Sequence, residues 1–245
     1  MKFSFVIPAF NEEKNILQCL EAITKEIASL SLQNECEIIV VDNGSTDGTV
    51  VIAQKTAGVK VLTELRKGPN FARALGLAEA TGELVAHIDA DNFLSAGWLK
   101  KVLNEFETDK KLVCLSGPFI MREFGNKQNF LVKLFYYIWF VFSVPNNLLK
   151  ISSMVQGGNY VVRREIFIKA GGHNTKINFY GDDSDISRRI VKFGKVKFSF
   201  NLPVSSSGRR LLAEGILSVG WKYGINYIWT VYLKRPFSNE YQDHR

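Results

Sequence analysis

The chain has 245 residues, 46% apolar and 22% charged, with 31 Lys and Arg against 24 Asp and Glu for a formal charge of +7. That is the composition of an ordinary globular protein; it excludes a disordered charged tail, and the length allows about 70% of the unfolded surface to be buried. Three cysteines, Cys19, Cys36 and Cys114, at wide and unpatterned spacing, exclude a disulfide framework and a zinc site and point to a reducing, cytoplasmic compartment.

The opening MKFSFVIPAF is apolar, but Pro8, Asn11, Glu12 and Glu13 interrupt it before a signal-peptide core could form. Residues 3–7 therefore read as a first strand. A helix follows Asn11, with Ile16, Leu17, Leu20, Ile23, Ile27 and Leu30 at three- and four-residue steps along one face. The run EIIVV at 37–41 is a second strand, buried on both faces. Asn43 and Gly44 form a turn, and Ser45 or Thr46 caps a helix reaching about Ala57. Residues 59–63 are a third strand. A third helix covers 68–80, closed by Gly82, and strand four at 84–88 runs straight into Asp89, Ala90 and Asp91.

The second half is less regular. A strand is expected over 112–121. An apolar aromatic segment follows at 130–144, broken only by Lys133 and Ser143 and short of the roughly 20 residues a spanning helix needs. Gly157 and Gly158 precede a strand at 160–162, a short helix starts at Arg164, and a second glycine pair stands at 171 and 172. Then come Asp182, Asp183 and Asp185. Alternating strands and amphipathic stretches predict an α/β fold with a mostly parallel central sheet flanked by helices. Chemistry in such sheets sits at the carboxyl ends of strands, here near residues 8, 42 and 89.

No repeat or linker divides the chain, so one domain is expected over 1–245. Its parts are a first half (1–122), a second half (123–210) and an aromatic, basic segment (211–245). Residues 1–122 hold 13 basic and 16 acidic side chains and residues 123–245 hold 18 and 8, so the halves carry −3 and +10. The basic residues lie singly or in pairs with no nucleic-acid motif around them, which leaves anionic lipid or a phosphorylated substrate as the partner. Two stretches suit a membrane surface: 130–144, and 220–235 with Trp221, Tyr223, Tyr227, Trp229 and Tyr232 among Lys222, Lys234 and Arg235. Packing on the core or across a homo-oligomer interface is the competing reading. His87, inside a strand, reads as a sheet residue rather than a metal ligand, and His173 is assigned no role.

Asp89 and Asp91, one residue apart at a strand's end, offer hard carboxylate oxygens to Mn²⁺ or Mg²⁺, which can also bind phosphate. Around them stand VIPAFNEEKNI at 6–16, IIVVDNGSTDGT at 38–49, KGPNFARALG at 67–76, HIDADN at 87–92, GGNYVVRRE at 157–165, KAGGHN at 169–174 and YGDDSDISRR at 180–189. In this order the seven motifs closely resemble the family 2 inverting glycosyltransferases with the GT-A fold, over residues 2 to 210.

The resemblance implies transfer from a nucleotide-diphosphate sugar, with UDP ahead of GDP, to a glycan or lipid-linked acceptor. It implies that Pro8, Ala9, Phe10, Glu12 and Asp42 hold the base and ribose and that Arg73 reaches the diphosphate. Asp91 would be the direct metal ligand, with Asp89 nearer the ribose and sugar. Gly158 and Asn159, after Gly157, would admit the donor sugar, and Arg209 and Arg210 would close over the diphosphate. Asp183 falls where the family's catalytic base stands. Asp182 replaces the family's Glu at an acceptor position, and Ala74 its Asn. Inverting transfer needs a carboxylate to take the acceptor's proton, and crowding among Asp182, Asp183 and Asp185 is expected to raise a pKa by like-charge repulsion.

Two other classes compete. A phosphohydrolase with an Asp-x-Asp nucleophile wants Thr or Val beyond the pair, where Phe93 stands. A nucleotide-sugar-binding protein without catalysis would not need Asp89, Asp91 and Asp183 together. The absence of Gly-x-Gly-x-x-Gly after an early strand sets aside a dinucleotide dehydrogenase.

Overall fold

The structure, a computed structural model, describes residues 2–177 and 179–238. Residues 239–245 of the basic C-terminal segment lie outside the described residues. In chain order the elements are β1 (Phe3–Ala9), α1 (Ile16–Ser29), β2 (Cys36–Asp42), α2 (Thr49–Lys55), β3 (Val59–Thr63), α3 (Pro69–Glu79), β4 (Leu84–Ile88), β5 (Phe93–Leu94) and α4 (Trp98–Thr108). There follow β6 (Leu112–Ser116), β7 (Phe119–Met121), α5 (Asn126–Leu148), β8 (Asn159–Arg163), α6 (Arg164–Lys169), α7 (Asp182–Ile190), β9 (Lys195–Phe198), β10 (Val204–Ser206), α8 (Arg209–Glu214) and α9 (Ile216–Leu233).

Seven strands form one sheet in the order β3-β2-β1-β4-β8-β6-β9. All are parallel except β8, which is antiparallel to both neighbours. A three-stranded sheet, β5-β10-β7, stands beside it. The chain winds outward from β1 to β3 and then returns to place β4 on the other side of β1. That reversal opens a crevice beyond the carboxyl ends of β1 and β4, the place where ligands bind in open α/β sheets.

Burial explains the central strands. Phe5, Val6, Ile7, Leu84, Val85 and Ala86 are fully buried, with α1 and α4 covering one face and α3 the other. Gly76 lets α3 lie directly on β1: a Cβ there would come within 2.3 Å of Val6 Cγ1. On α1 the buried stripe is Ile16, Cys19, Leu20, Ile23 and Ile27, whereas Leu17 turns to solvent.

Two expectations are corrected. The strand expected over 112–121 is two strands in different sheets, β6 and β7, parted at Gly117 and Pro118, and Pro118 has no N–H for a ladder. The second helix starts at Thr49 rather than at a Ser45 or Thr46 cap. Ser45 Oγ instead accepts from Asn11 N at 2.9 Å, Thr46 N donates to Asn11 Oδ1 at 2.9 Å, and Asp47 takes up Thr49 N at 3.0 Å. The segment 130–144 lies within the 23-residue helix α5, with Val132 and Tyr136 packed inward and Phe130, Val141 and Phe142 about two-thirds exposed. Helix α4, amphipathic through Trp98, Leu99, Val102 and Phe106, was legible in its spacing but not foreseen.

His87 is fully buried on β4, its ring stacked on Tyr160 at 4.7 Å and edge-on to His173 at 4.7 Å, with neither ring nitrogen hydrogen-bonded. Burial, aided by the Arg73 charge, holds its pKa down to about 3. The unfolded chain therefore binds a proton that the folded chain refuses, and stability falls as pH drops below the ordinary histidine value. His87→Phe keeps a flat ring and removes this penalty. By pH 5 it should gain about 2 kcal/mol on the parent relative to pH 7, read from denaturant unfolding at the two pH values. A difference that does not change with pH would refute this account.

Candidate active site

At the carboxyl ends of β1 and β4 lies a cavity of about 350 Å³ lined by Pro8, Ala9, Phe10, Glu12, Arg73, Asp89, Asp91, Arg209 and Arg210, among others. Strand β4 delivers Asp89 and Asp91 to its floor, and the turn after β1 delivers Glu12, whose N–H is held by Thr49 Oγ1 at 2.7 Å. From α3 the buried Arg73 reaches across: Nη2 donates to Asp89 Oδ1 at 2.7 Å and Nη1 lies 3.6 Å from Asp182 Oδ2. Burial alone would weaken that guanidinium's hold on its proton, but Asp89 and Asp182 more than offset this and its pKa is raised.

Asp91 carries the strongest perturbation on the floor. Burial, and then the like charges of Glu12 and Asp89, push its pKa up to about 7 against the opposing charges of Arg209 and Arg122. The Arg209 guanidinium pairs with Glu12 and stands 3.3 Å from Asp91 Oδ2. A cation thus sits against an excess of carboxylate, and oxygen ligands crowded in this way fit a hard divalent ion. Among the described residues no group of three or more His, Cys, Asp or Glu is disposed to hold a metal alone. An ion at Asp91 would take its remaining ligands from a diphosphate, as Mg²⁺ commonly does.

Asp183 opens α7, half-buried, and lines a second cavity of about 220 Å³. Its Oδ1 accepts from Ser184 N at 2.8 Å. Burial raises its pKa, opposed by the N–H groups of Ser184 and Gly157. Like-charge crowding is not the cause: Asp185 is paired with Arg188 at 2.7 Å and Arg189 at 2.8 Å, and Asp182 faces Arg73. Crowding acts instead on Asp182, where burial, then Asp183 and Asp185, outweigh Arg73 and push the pKa up to about 7. The two cavities meet at Ser206, Ser207, Arg210 and Tyr223, which line both.

Not every expected residue reaches a cavity. Asp42 is buried beside the site with its carboxylate on the N–H groups of Gly44 and Ser45, and the next residue, Asn43, lines the cavity. Asn159 is fully buried, its side chain bonded to Leu202 O at 3.0 Å and Trp98 Nε1 at 3.3 Å. Asp182 turns toward Arg73 and away from both cavities. Gly158, at φ +79°, packs against the Asp89 carboxylate: a Cβ there would come within 2.2 Å of Asp89 Oδ2. The glycine pair thus seats Asp89 on one side and Asp183 on the other.

Sequence reasoning missed Lys67, Phe179 and Tyr223 on the wall of the first cavity, and Arg122 behind it. Arg122 Nη1 donates to Asp91 O at 2.7 Å while its guanidinium stacks 3.9 Å above Phe93, which fixes the backbone that carries Asp91. No local motif surrounds Arg122; only β7 brings it there. The Asn43–Gly44 pair was visible but read as a turn alone.

A switched parallel sheet with carboxylates at the ends of β1 and β4 and a basic rim defines an α/β protein of the GT-A type. Residues 4–171 match the model of the family "Glycosyl transferase family 2", and the chain belongs to it. It is similar to the poly(ribitol-phosphate) beta-N-acetylglucosaminyltransferase TarS of Staphylococcus aureus, 32% identical over 125 residues, which are 48% of this chain and 21% of TarS. It is also similar to glycosyltransferase AglE of Haloferax volcanii, 35% identical over 40% of this chain and 33% of AglE. The chain thus matches about a fifth to a third of these curated relatives. Among solved structures, the mannosyltransferase PcManGT of Pyrobaculum calidifontis, in complex with GDP-Man and Mn²⁺, shares the fold with a TM-score of 0.70 at 20% identity, over 95% of this chain and 63% of that one. Glucosyl-3-phosphoglycerate synthase of Mycobacterium tuberculosis, with Mn²⁺ and UDP-glucose, does so with a TM-score of 0.63 at 20% identity, over 94% and 78%.

Proposed function

We propose that the chain is an inverting glycosyltransferase that takes a sugar from a nucleotide-diphosphate donor, UDP ahead of GDP, by single displacement onto an acceptor hydroxyl. The observation that carries this reading is the pair of adjoining cavities, one floored by Asp89 and Asp91 and the other walled by Asp183, divided by a glycine pair and joined at Arg210 and Tyr223. Structural relatives crystallised with UDP-sugars and with GDP-mannose support the donor class.

Phe10 with Lys67, which stands 5.4 Å over its ring, would bracket the nucleoside. Arg209 and Arg210 would meet the diphosphate from the rim, and Asp91, with Asp89 beside it, would hold a divalent ion. That ion, when bound, neutralises charge on the leaving diphosphate. Arg73 fixes the Asp89 carboxylate through its 2.7 Å bond and so sets the floor against which the sugar rests. The acceptor oxygen attacks the anomeric carbon opposite the diphosphate, its proton passes to Asp183, and the nucleoside diphosphate departs with the bonding electron pair. Asp183, raised by burial, is a stronger base than an exposed carboxylate.

The test is a thermal-shift and calorimetric panel of UDP, GDP, ADP and their sugars, with Mn²⁺, Mg²⁺ or chelator. One nucleoside diphosphate should stabilise strongly and only with metal, by about 2.7 kcal/mol at a hundredfold excess over its Kd. Equal and metal-independent shifts for every nucleotide would overturn the reading, and phosphate release from simple esters would favour the phosphohydrolase.

A further inference from the structure

We infer that the cavity walled by Asp183 is the acceptor site and that it takes a hydroxyl carried on an apolar, lipid-like body presented from an anionic bilayer. This rests on the reading of Asp183 as the base and deepens it by naming the acceptor class.

The cavity lies among α5, α8, α9 and the 153–156 segment; it is polar beside Asp183 and Gln156 and where Ser206, Ser207 and Arg210 join it to the first cavity, and elsewhere its walls are largely apolar, with Val132, Phe135, Trp139, Met154, Ile216 and Val219. Three hydroxyls in those walls are already bonded within the protein. Tyr136 Oη donates to Gln156 Oε1 at 2.9 Å, Ser143 Oγ to Phe140 O at 2.8 Å, and Tyr227 Oη accepts from Asn146 Nδ2 at 3.1 Å. A saccharide, with a hydroxyl on nearly every carbon, would lose water there without replacement partners. A hydrocarbon chain with one terminal hydroxyl fits: the chain lies among the aromatic rings and the hydroxyl meets Asp183.

The outer surface of the same helices indicates where such a molecule comes from. Helices α5 and α9 run side by side, brought close by Gly220 against Phe135 and Gly224 against Trp139. Their outward faces carry Phe130, Val141, Phe142, Leu217 and Trp221, each more than 60% exposed. An exposed apolar face of this extent marks an interaction surface. Its charge is predominantly basic, since no Asp or Glu occurs between Glu123 and Glu165 or between Glu214 and Glu240, while Lys127, Lys133, Lys150, Lys234 and Arg235 fall in these intervals, together with Lys222, which pairs with Glu214. Aromatic residues with lysine and arginine and no acid complement an anionic lipid surface. No helix among the described residues is long and apolar enough to cross a membrane, so the helices would lie on it. The cavity therefore backs directly onto the face that would touch lipid.

In the reaction the lipid C–O–H oxygen bonds to the anomeric carbon, the bond from that carbon to the diphosphate breaks, and the proton goes to Asp183.

The full chain can be tested in two arms with n-decanol as the probe alcohol and glycerol as its polar counterpart. The first arm needs no donor. Trp139 fluorescence is followed on adding decanol, with Trp139→Phe as the blank, in the parent and in Val132→Phe, which fills the cavity. Ile216→Phe, at the half-exposed rim, serves if Val132→Phe does not fold. Saturable binding to the parent, at least tenfold weaker in the filled variant and absent for glycerol, is expected. The second arm measures cosedimentation with phosphatidylglycerol and phosphatidylcholine vesicles at low and high salt, and sugar transfer to decanol in those vesicles. Salt-sensitive binding to the anionic vesicles and transfer that prefers decanol are expected.

No decanol binding, or equal binding by parent and filled variant, overturns the proposal whether or not transfer occurs. Equal transfer to glycerol and decanol also overturns it. Decanol binding with no anionic-vesicle preference, or self-association that shields Phe142, removes the bilayer as the source. Decanol binding in a chain that binds no nucleoside diphosphate would instead overturn the transferase reading.

Discussion

Replacing Asp183 by Asn should lower turnover by about 10² to 10⁴-fold, the range of a lost general base, while nucleoside diphosphate affinity stays within about twofold. The amide keeps the size of the carboxylate and can still face Ser184 N through its oxygen, so α7 should start as before. What disappears is a group able to accept the acceptor's proton. Donor affinity should survive because Asp183 lines the second cavity and not the one floored by Asp89 and Asp91. The pH profile adds a check. Since the parent's carboxyl is raised by burial, parent activity should fall on the acid side as Asp183 gains a proton, whereas the residual activity of the Asn variant should lack that limb. An Asn variant as active as the parent would move the base elsewhere, with Asp182 the nearest carboxylate in the chain but aimed at Arg73.

Asp91→Asn should abolish the metal dependence of nucleotide binding and weaken metal-assisted binding by about 100-fold or more. Loss of a partner behind a metal ligand already costs about 10 to 100-fold, and Asp91 would be the ligand itself. The same variant should make the metal-free protein more stable. In the parent the folded state holds the Asp91 proton up to about pH 7, whereas the unfolded chain releases it near 3.8. The folded state thus binds more protons between those values, and parent stability falls as pH rises through that window. Without a charge to desolvate, Asp91→Asn should melt above the parent at pH 8 with chelator present, and the gap should shrink toward pH 4. Nucleotide binding that stays Mn²⁺-dependent in the variant would place the ion on Asp89 and Glu12 instead.

Much of the donor half was legible because its signals are local. Strands β1 to β4 are short runs of β-branched and apolar residues whose period alone sets their type, and β3 and β4 begin and end where that period predicts. Asp89 and Asp91 follow directly on a buried strand, so no tertiary information is needed to put them at a sheet end. The second half was read less well for the opposite reason. Whether residues 112–121 make one strand or two depends on partners distant in sequence, since β6 pairs with β8 and β9 whereas β7 pairs with β10 in the other sheet.

Side-chain targets also belong to the tertiary structure. Composition and motif brought Asp42, Asn159 and Asp182 forward together with Asp91 and Asp183, and all five are short polar residues at element ends. Packing then divided them: Asp42 satisfies its own turn, Asn159 bonds Trp98 and Leu202, Asp182 faces Arg73, while Asp91 and Asp183 each open into a cavity. Arg122 carries no sequence signal, yet its bond to the Asp91 carbonyl exists because β7 lies in the small sheet beside the β4 end. The apolar wall around Asp183 is likewise assembled from α5, α8 and α9, which the chain brings together from nearly 100 residues of separation. Periodicity and short-range spacing, which are properties of neighbouring residues, determined an α/β chain with acidic strand ends, and the order of its motifs gave the resemblance to glycosyltransferases. Which carboxylates face a ligand, and how apolar the surroundings of the base are, was decided only by long-range packing, because burial and desolvation depend on what the rest of the chain places around each group.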